Sequence, residues 1–259
     1  MPVPKRLIYV DGLGRSGSTR IGQIMAQSDG AENLGEFLRF TTVNDLSRKE
    51  TGAVDVRELP CGCGLRGADC PDYPLTQYLN EYGLKKGHVW FSLSSPRLPN
   101  GTDIADYLNS IHDFLSQRDS LVLIDTSKNA RILSIIRESQ QFSDWDIRGL
   151  FIYRDLPSVF KSWRKEKGYL KKKSVLHIIG HMIIELAWAF WVLFRHRDKD
   201  LFISYRSLRC APGHWVEVIN SQLGLNIGCS GNIVRIINMG HEVAGNPSKL
   251  DHDQYILIR

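Results

Sequence analysis

Residues 7–20 read LIYVDGLGRSGSTR, and this stretch decides the fold. The apolar run Leu7–Val10 predicts a buried β-strand, the glycines after it predict a tight turn, and a helix is expected from about Thr19. Near-continuous apolar strands that are each followed by a helix are typical of a parallel sheet covered on both faces. The stretch therefore predicts an α/β protein.

Three further apolar runs, each followed by a helical stretch, repeat this pattern along the chain. The predicted strands are Leu121–Ile124, Ile147–Tyr153 and Leu201–Tyr205, and the helices begin near Asn129, Asp155 and Pro212. We therefore expect a three-layer α/β/α fold around a central, mostly parallel sheet of about five strands, like that of the P-loop nucleotide hydrolases.

Length and composition fit one domain spanning residues 1–259, with 42% hydrophobic and 24% charged residues. Residues 42–102 are rich in glycine, proline and cysteine and show little periodicity, which predicts an insertion or lid over the sheet. The net charge of +5 suits an anionic ligand and is too small to indicate nucleic-acid binding. A homodimer is compatible with the sequence.

The stretch Val175–Phe194 is apolar enough to raise the question of a membrane span. It carries His177, His181 and Glu185 four residues apart, on one helical face. Charge inside a spanning helix is costly, so the pattern favours a buried core helix that lines a site. The first residues lack the apolar stretch of a secretory signal. We therefore expect a cytoplasmic protein without a membrane span.

The loop after the first strand nearly matches a nucleotide-binding P-loop, in which two glycines precede Lys and then Ser or Thr. Gly12, Gly17 and Thr19 fit this pattern, but Ser18 stands where the lysine belongs. That lysine reaches the β- and γ-phosphates of a triphosphate. Its absence disfavours an ATPase or GTPase, and Arg15 offers the cation for a 5′ anion that carries no triphosphate tail.

Five segments resemble, in order, the motifs of one family: Arg15–Thr19, Asp125–Lys128, Tyr153–Ser162, Tyr205–Leu208, and His241 followed by Gly245, Asn246, Pro247 and Lys249. That family is the superfamily of sulfotransferases that use 3′-phosphoadenosine 5′-phosphosulfate (PAPS). Its last motif ends in Arg, where this chain has Lys249. The segments cover nearly the whole chain, although residues 42–102 match only loosely.

The resemblance implies that PAPS is the co-substrate and that adenosine 3′,5′-bisphosphate is the product. The loop would hold the 5′-phosphosulfate, and Arg154 and Ser162 the 3′-phosphate. The implied nucleotide-binding residues are Arg15, Ser16, Gly17, Ser18, Thr19, Arg154, Ser162, Tyr205 and Lys249. The basic run Lys165–Lys173 could close over the nucleotide, or be an ordinary solvated loop.

The resemblance also implies two catalytic residues. Lys128 would stabilise negative charge on the bridging oxygen as the sulfuryl group leaves. Glu36 follows Gly35, as in related sulfotransferases, and would take a proton from the acceptor. Rival bases are His112, His177 and His181. No metal is expected in this site.

The sequence thus predicts a sulfotransferase that moves a sulfuryl group from PAPS to a hydroxyl or amine of a small-molecule acceptor such as a natural product. One alternative is a kinase or NTPase that uses Asp125 and magnesium-ATP. The other is a nucleotide-binding regulator without catalysis.

Cys61, Cys63 and Cys70 are clustered in the chain, and they resemble a cysteine-containing insert of bacterial-type members. Structural zinc usually has four ligands. Asp69 and His88 are near in sequence, but no fourth ligand is evident. Buried thiols or a local disulfide are therefore favoured over zinc.

Overall fold

Five parallel strands form the central sheet of the computed structural model, which describes residues 4–13, 16–42, 61, 63–82, 104–165, 174–229, 233–235, 241 and 255–257. The strands are β1 (Arg6–Asp11), β2 (Ala31–Gly35), β3 (Val122–Asp125), β4 (Asp146–Tyr153) and β5 (Asp200–Ser204). Their order across the sheet is β2-β3-β1-β4-β5. The expected α/β fold with a parallel sheet of about five strands is confirmed.

The first strand lies at the centre and pairs on both sides. Arg6 is in register with Val122 of β3 and with Asp146 of β4. Along the chain, the strands on one side of β1 come first and those on the other side follow. The strand order therefore reverses at β1, and ligands of open α/β sheets bind at such a switch point, outside the carboxyl ends of the strands.

Helices cover both faces of the sheet. They are α1 (Ser18–Met25), α2 (Phe37–Thr42), α3 (Pro74–Tyr82), α4 (Ile104–Ser116), α5 (Ala130–Glu138), α6 (Leu156–Lys165), α7 (Val175–Arg195), α8 (Tyr205–Cys210) and α9 (Pro212–Leu223). A short antiparallel pair, β6 (Ile233–Arg235) and β7 (Tyr255–Leu257), is separate from the main sheet.

The alternation of side chains along β1 explains its continuous apolar sequence. Leu7 and Tyr9 pack into the core on one face of the sheet, and Ile8 and Val10 pack into the core on the other. All four are fully buried. Because both faces are covered, no position in this strand needs a polar residue. The sheet with helices on both of its faces forms the three-layer arrangement.

Two local details differ from the sequence predictions. Tyr205 was expected to end the fourth strand, but it begins α8, because the Ser204 hydroxyl accepts a hydrogen bond from the Ser207 N–H, at 3.5 Å, and caps that helix. The strand β2 was not among the segments expected from apolar runs. Its sequence, AENLG, is half polar, as an edge strand that pairs only with β3 allows.

The prediction that the apolar stretch 175–194 is a buried core helix is wrong. Ile178 and Met182 are buried against Leu13, but Leu176 is 81% exposed and Phe194 is 75% exposed. One stripe of α7 therefore packs beside the loop after β1, while most of the helix faces outward. By length and composition it is the one helix within the described ranges that could cross a membrane.

Most of the predicted insertion, residues 42–102, falls outside the described residues. The part that the structure describes includes α3, whose Tyr78 is buried beside Phe37 and Phe114, with ring centroids 5.6 and 5.5 Å away. This part is packed onto the main core. Its action as a lid stays a prediction.

Candidate active site

The sequence-predicted functional residues follow the carboxyl ends of the five parallel strands. The glycine-rich loop follows β1, Glu36 follows β2 and Lys128 follows β3, while Arg154 follows β4 and Tyr205 follows β5. Parallel strands end at the same edge of a sheet, so residues far apart in sequence are neighbours there. Arg15 and Lys249 lie outside the described residues, as does the side chain of Ser162.

The loop requires glycine at two positions. Gly12 has a φ of 147° and Gly17 a φ of 102°, both in the region that side chains disfavour. A Cβ on Gly12 would lie 2.4 Å from the Ile152 carbonyl oxygen, and one on Gly17 would lie 2.5 Å from the Tyr205 ring. These short distances show that β4 and α8 pack directly against the backbone of the loop.

The described part of this loop has hydrogen-bonding groups that make it a candidate anion cradle. Helix α1 begins after Gly17 without a side-chain cap, so its first N–H groups remain available to a ligand. Ser16 is fully buried, and its hydroxyl has no hydrogen-bond partner among the described residues. A buried polar atom without a partner is costly. An anion such as the 5′-phosphosulfate group of PAPS would satisfy it, so the residues present fit that co-substrate.

Beside the loop, the two residues implied as catalytic form an ion pair. The Lys128 Nζ atom lies 2.5 Å from Glu36 Oε1, and both side chains are almost buried. Arg39 donates from Nη1 to the other carboxylate oxygen, at 2.8 Å. Burial acts to raise the pKa of Glu36, but the charges and hydrogen bonds of Lys128 and Arg39 outweigh it and hold that pKa below its usual value.

A hydrogen-bonded frame holds this pair in place. Asp125 Oδ2 accepts the Leu38 N–H at 2.8 Å, and Oδ1 accepts the Ser127 N–H at 2.9 Å. Ser127 Oγ accepts the Arg39 N–H at 2.8 Å. These bonds tie the start of α2 to the end of β3. Both oxygens of Asp125 thereby accept backbone N–H groups, and burial raises its pKa to about 7.

The backbone of Lys128 is strained. Its φ is 58°, the left-handed region, and it is the one residue other than glycine with positive φ in the part of the chain that the structure describes. Such a conformation costs about 1 kcal/mol or more, and it clusters at functional sites. The next residue, Asn129, stabilises the turn, because its N–H donates to the Tyr9 hydroxyl at 3.1 Å and its side chain caps α5.

On the other side of the loop, Arg154 and Tyr205 lie together. The Arg154 guanidinium lies over the Tyr205 ring, 5.4 Å from its centroid, and that ring in turn contacts Gly17. The neighbouring Asp155 caps α6, its Oδ1 accepting the Ser158 N–H at 2.9 Å. The structure thus brings a guanidinium and an aromatic ring to the edge of the anion cradle.

One residue of this site, Asp11, was missed by sequence reasoning. It ends β1, is 4% exposed and accepts the Gly12 N–H at 2.7 Å. Burial raises its pKa to about 7, the Gly12 N–H and Lys128 oppose this, and Glu185 adds to it. The signal was available, because an Asp-Gly pair that ends a buried strand places a carboxyl at the mouth of the loop.

The rival histidine bases are not brought to the Glu36 carboxylate. His112 packs near Phe142 and Trp145, which precede the amino end of β4, at the opposite edge of the sheet. His177 is exposed on the first turn of α7, and the side chain of His181 is not described. Glu36 remains the best placed base beside the loop.

Comparison with known proteins gives a likeness in structure alone. No family model and no curated protein matches the sequence. A solved sulfotransferase domain from the curacin biosynthetic pathway matches 98% of this chain and 85% of its own, with a TM-score of 0.50 and 13% identity.

Two further structures match less well. The sulfotransferase domain of the Synechococcus PCC 7002 olefin synthase matches 87% of this chain and 75% of its own, with a TM-score of 0.48 and 15% identity. An unliganded sugar kinase from Janibacter sp. HTCC2649 matches 86% of this chain and 96% of its own, with a TM-score of 0.42 and 14% identity. The expected resemblance is confirmed at the level of the fold: this chain has the α/β fold of the curacin-pathway sulfotransferase domain.

Proposed function

We propose that this protein is a sulfotransferase that uses PAPS and sulfates a hydroxyl or amine of a small-molecule acceptor. The observation that carries the proposal is the buried Glu36–Lys128 pair beside an anion cradle that lacks the P-loop lysine. A general base and a cation at one point suit the transfer of a charged group to a protic acceptor.

The positions of these residues at the carboxyl edge of the sheet suggest how the substrates bind. The loop and the N-terminus of α1 would bind the 5′-phosphosulfate, with Arg15 adding charge. Arg154, Ser162, Tyr205 and Lys249 would hold the nucleotide on the β4–β5 side, with the guanidinium pairing with the 3′-phosphate. The acceptor would then approach from the β2–β3 side, where Glu36 lies.

When bound, PAPS supplies an activated sulfuryl group on a phosphate leaving group. Glu36, ionised at neutral pH, accepts the proton of the attacking hydroxyl or amine. Lys128 donates a hydrogen bond to the bridging oxygen as negative charge develops there. As Lys128 turns toward that oxygen, its ion pair with the Glu36 carboxylate weakens. The carboxylate then becomes a stronger base at the moment when it accepts the proton of the acceptor. The loop N–H groups fix the geometry.

The structure disfavours the kinase alternative. Asp125, the residue that could hold magnesium, uses both carboxylate oxygens to bind backbone N–H groups. The loop has Ser18 in place of the lysine that contacts a triphosphate. A regulator without catalysis would have no use for the strained turn that presents Lys128 to Glu36.

The acceptor that fits is small and partly apolar. The outward-facing and half-buried aromatic side chains of α7, among them Trp188 and Trp191, lie on the helix that packs beside the loop. Such a surface suits an apolar body, while the hydroxyl or amine reaches Glu36. A cytoplasmic location and a homodimeric state are the accompanying expectations.

The proposal is tested by calorimetric titration with adenosine 3′,5′-bisphosphate and, separately, with magnesium-ATP. We expect micromolar binding of the bisphosphate with or without magnesium, and a large loss of affinity in Arg154→Ala. Arg197→Ala is the control, since Arg197 is an exposed arginine that precedes the amino end of β5. Magnesium-dependent ATP binding without bisphosphate binding would overturn the proposal in favour of a kinase.

A further inference from the structure

A second cluster of reactive side chains lies outside the proposed active site. The atoms Cys61 Sγ, Cys63 Sγ, Cys70 Sγ and His241 Nδ1 lie close together, and the four residues each place a ligand atom within 4.8 Å of the others. His241 is separated from Cys70 by 171 positions in the sequence. The fold thus supplies the fourth ligand that is not evident among the residues near the cysteines.

The distances are close to those between ligands around one metal ion, and the Cys70–His241 separation is the shortest of them. Ligands at zinc bond lengths in a tetrahedron would lie ~3.8 Å apart for two sulfurs and ~3.6 Å apart for sulfur and nitrogen. Cys63 Sγ and Cys70 Sγ are 3.6 Å apart. His241 Nδ1 lies 3.7 Å from Cys61 Sγ and 3.1 Å from Cys70 Sγ. We propose that these four residues bind a structural zinc ion.

The same distances do not fit a disulfide. Sulfurs in a disulfide are separated by about 2.0 Å, and all three cysteines are free thiols in this structure. Plain buried thiols would not require a histidine nitrogen beside them, nor a cysteine as exposed as Cys63. Three thiols and one imidazole form the Cys₃His set typical of structural zinc.

A carboxylate lies near the second nitrogen of the histidine. His241 Nε2 lies 3.6 Å from Asp72 Oδ2. A carboxylate on the far nitrogen of a metal-binding histidine orients the ring and makes the ligand more basic. Here the carboxylate comes from the segment that carries the cysteines. The four ligands and the Asp72–His241 contact therefore connect the same two parts of the chain.

Tight backbone turns present the cysteines. The Cys61 N–H donates to the Leu65 carbonyl at 2.7 Å, and the Gly64 N–H returns to the Cys61 carbonyl at 3.0 Å. Gly64 has a φ of 92°, which allows the chain to turn sharply after Cys63. The Cys70 N–H donates to the Arg66 carbonyl at 3.0 Å. Short loops of this kind can direct several thiolates to one point.

The site would be closed and structural, because four protein ligands leave no open position for substrate. Binding one Zn²⁺ releases the three thiol protons and leaves a net charge of −1 at the centre. The ion would link the segment around residues 61–72 to His241, which precedes the proposed nucleotide-binding Lys249 by eight residues. The zinc site does not depend on the proposed sulfotransferase activity.

The first test is metal analysis of the full chain, purified with reductant after expression with added zinc. We expect about one zinc per chain, lost in Cys63→Ser and in His241→Asn. The controls are Cys210→Ser and His214→Asn, since both residues are exposed and lie away from the cluster; these variants should keep their zinc. Less than about 0.1 zinc per chain in the wild type would overturn the proposal.

A second measurement covers the case in which the variants fail to fold. The wild-type protein, stripped of zinc and titrated with cobalt(II), should show the strong visible bands of a tetrahedral site with thiolate ligands at about one equivalent. Zinc retained by both ligand variants, a Cys63–Cys70 disulfide in the zinc-loaded protein, or the absence of the cobalt bands would each refute the site. Bisphosphate binding by the same wild-type sample reports on the sulfotransferase proposal separately.

Discussion

The two sides of the sheet's carboxyl edge are built differently. On the β2–β3 side, Glu36, Asp125 and Ser127 are 7%, 0% and 1% exposed, and each has hydrogen bonds to its neighbours. On the β4–β5 side, Arg154 and Tyr205 are only half-buried, and Tyr153 beside Arg154 is 38% exposed. The groups proposed for chemistry are thus buried and preorganised, whereas the groups proposed for nucleotide recognition are more accessible to solvent.

The strongest test of this contrast is Glu36→Gln, which keeps the shape of the side chain and removes the base. We expect turnover to fall by about 10³-fold, while bisphosphate affinity stays nearly unchanged because the proposed nucleotide-binding residues lie on the other side. Steady-state kinetics and calorimetry on one preparation give both numbers. Glu217→Gln, on the exposed face of α9, is the control. Equal losses in turnover and in bisphosphate affinity would show that the two sides do not have separate roles.

A smaller loss, about 10²-fold in turnover, is expected for Lys128→Met. The variant also removes the main charge that lowers the pKa of Glu36. The pKa of Glu36 should rise, and since the base must be ionised, the acid limb of the pH–rate profile should move to higher pH. The exposed Lys199→Met serves as the control. A profile whose acid limb does not move would argue that Glu36 is not the titrating base.

The β4–β5 side is tested by Gly17→Ala. Its Cβ would meet the Tyr205 ring in addition to the backbone strain, and we expect bisphosphate to bind about tenfold more weakly. Gly30→Ala is a matched control, because Gly30 also has positive φ, 70°, but has open space around it. Equal effects of the two substitutions on binding would show that the contact with Tyr205 does not shape the cradle.

The buried carboxyl of Asp11 couples stability to pH. Burial raises the pKa of Asp11 from 3.8 to about 7, so the folded state binds a proton more tightly than the unfolded state. Stability should therefore fall as the pH rises from about 4 through 7, the window in which the proton held by folded Asp11 is lost. Urea unfolding at pH 5 and pH 8 measures it. Asp11→Asn should reduce the difference, and an unchanged difference would remove Asp11 as its source.

The parts of the fold that could be predicted from the sequence are those in which local pattern and burial agree. Leu7–Val10 is apolar throughout because both faces of β1 are covered. The polar edge strand Ala31–Gly35 offered no such signal. The apolar sequence of α7 was misleading, since an apolar helix is not necessarily buried: Leu176 is largely exposed.

The sequence named most of the residues that lie at the candidate site, but it could not give the contacts between them. Glu36 and Lys128 are 92 positions apart, and only a resemblance to a family associated them; no periodicity places one beside the other. The same holds more strongly for His241, because a ligand distant in sequence is invisible until the fold brings it to Cys61 and Cys70.

The central position of β1 has a consequence for how the protein is made. β1 is synthesised before both of its partner strands, because Val122 and Asp146 follow Arg6 by 116 and 140 residues. At synthesis rates of about 5–20 residues per second, that strand waits on the order of 10 seconds before either neighbour exists. The four apolar residues that β1 buries in the folded state have no sheet partner to cover them during that interval. Slow translation between residues 20 and 120 would lengthen this interval and so favour aggregation during expression.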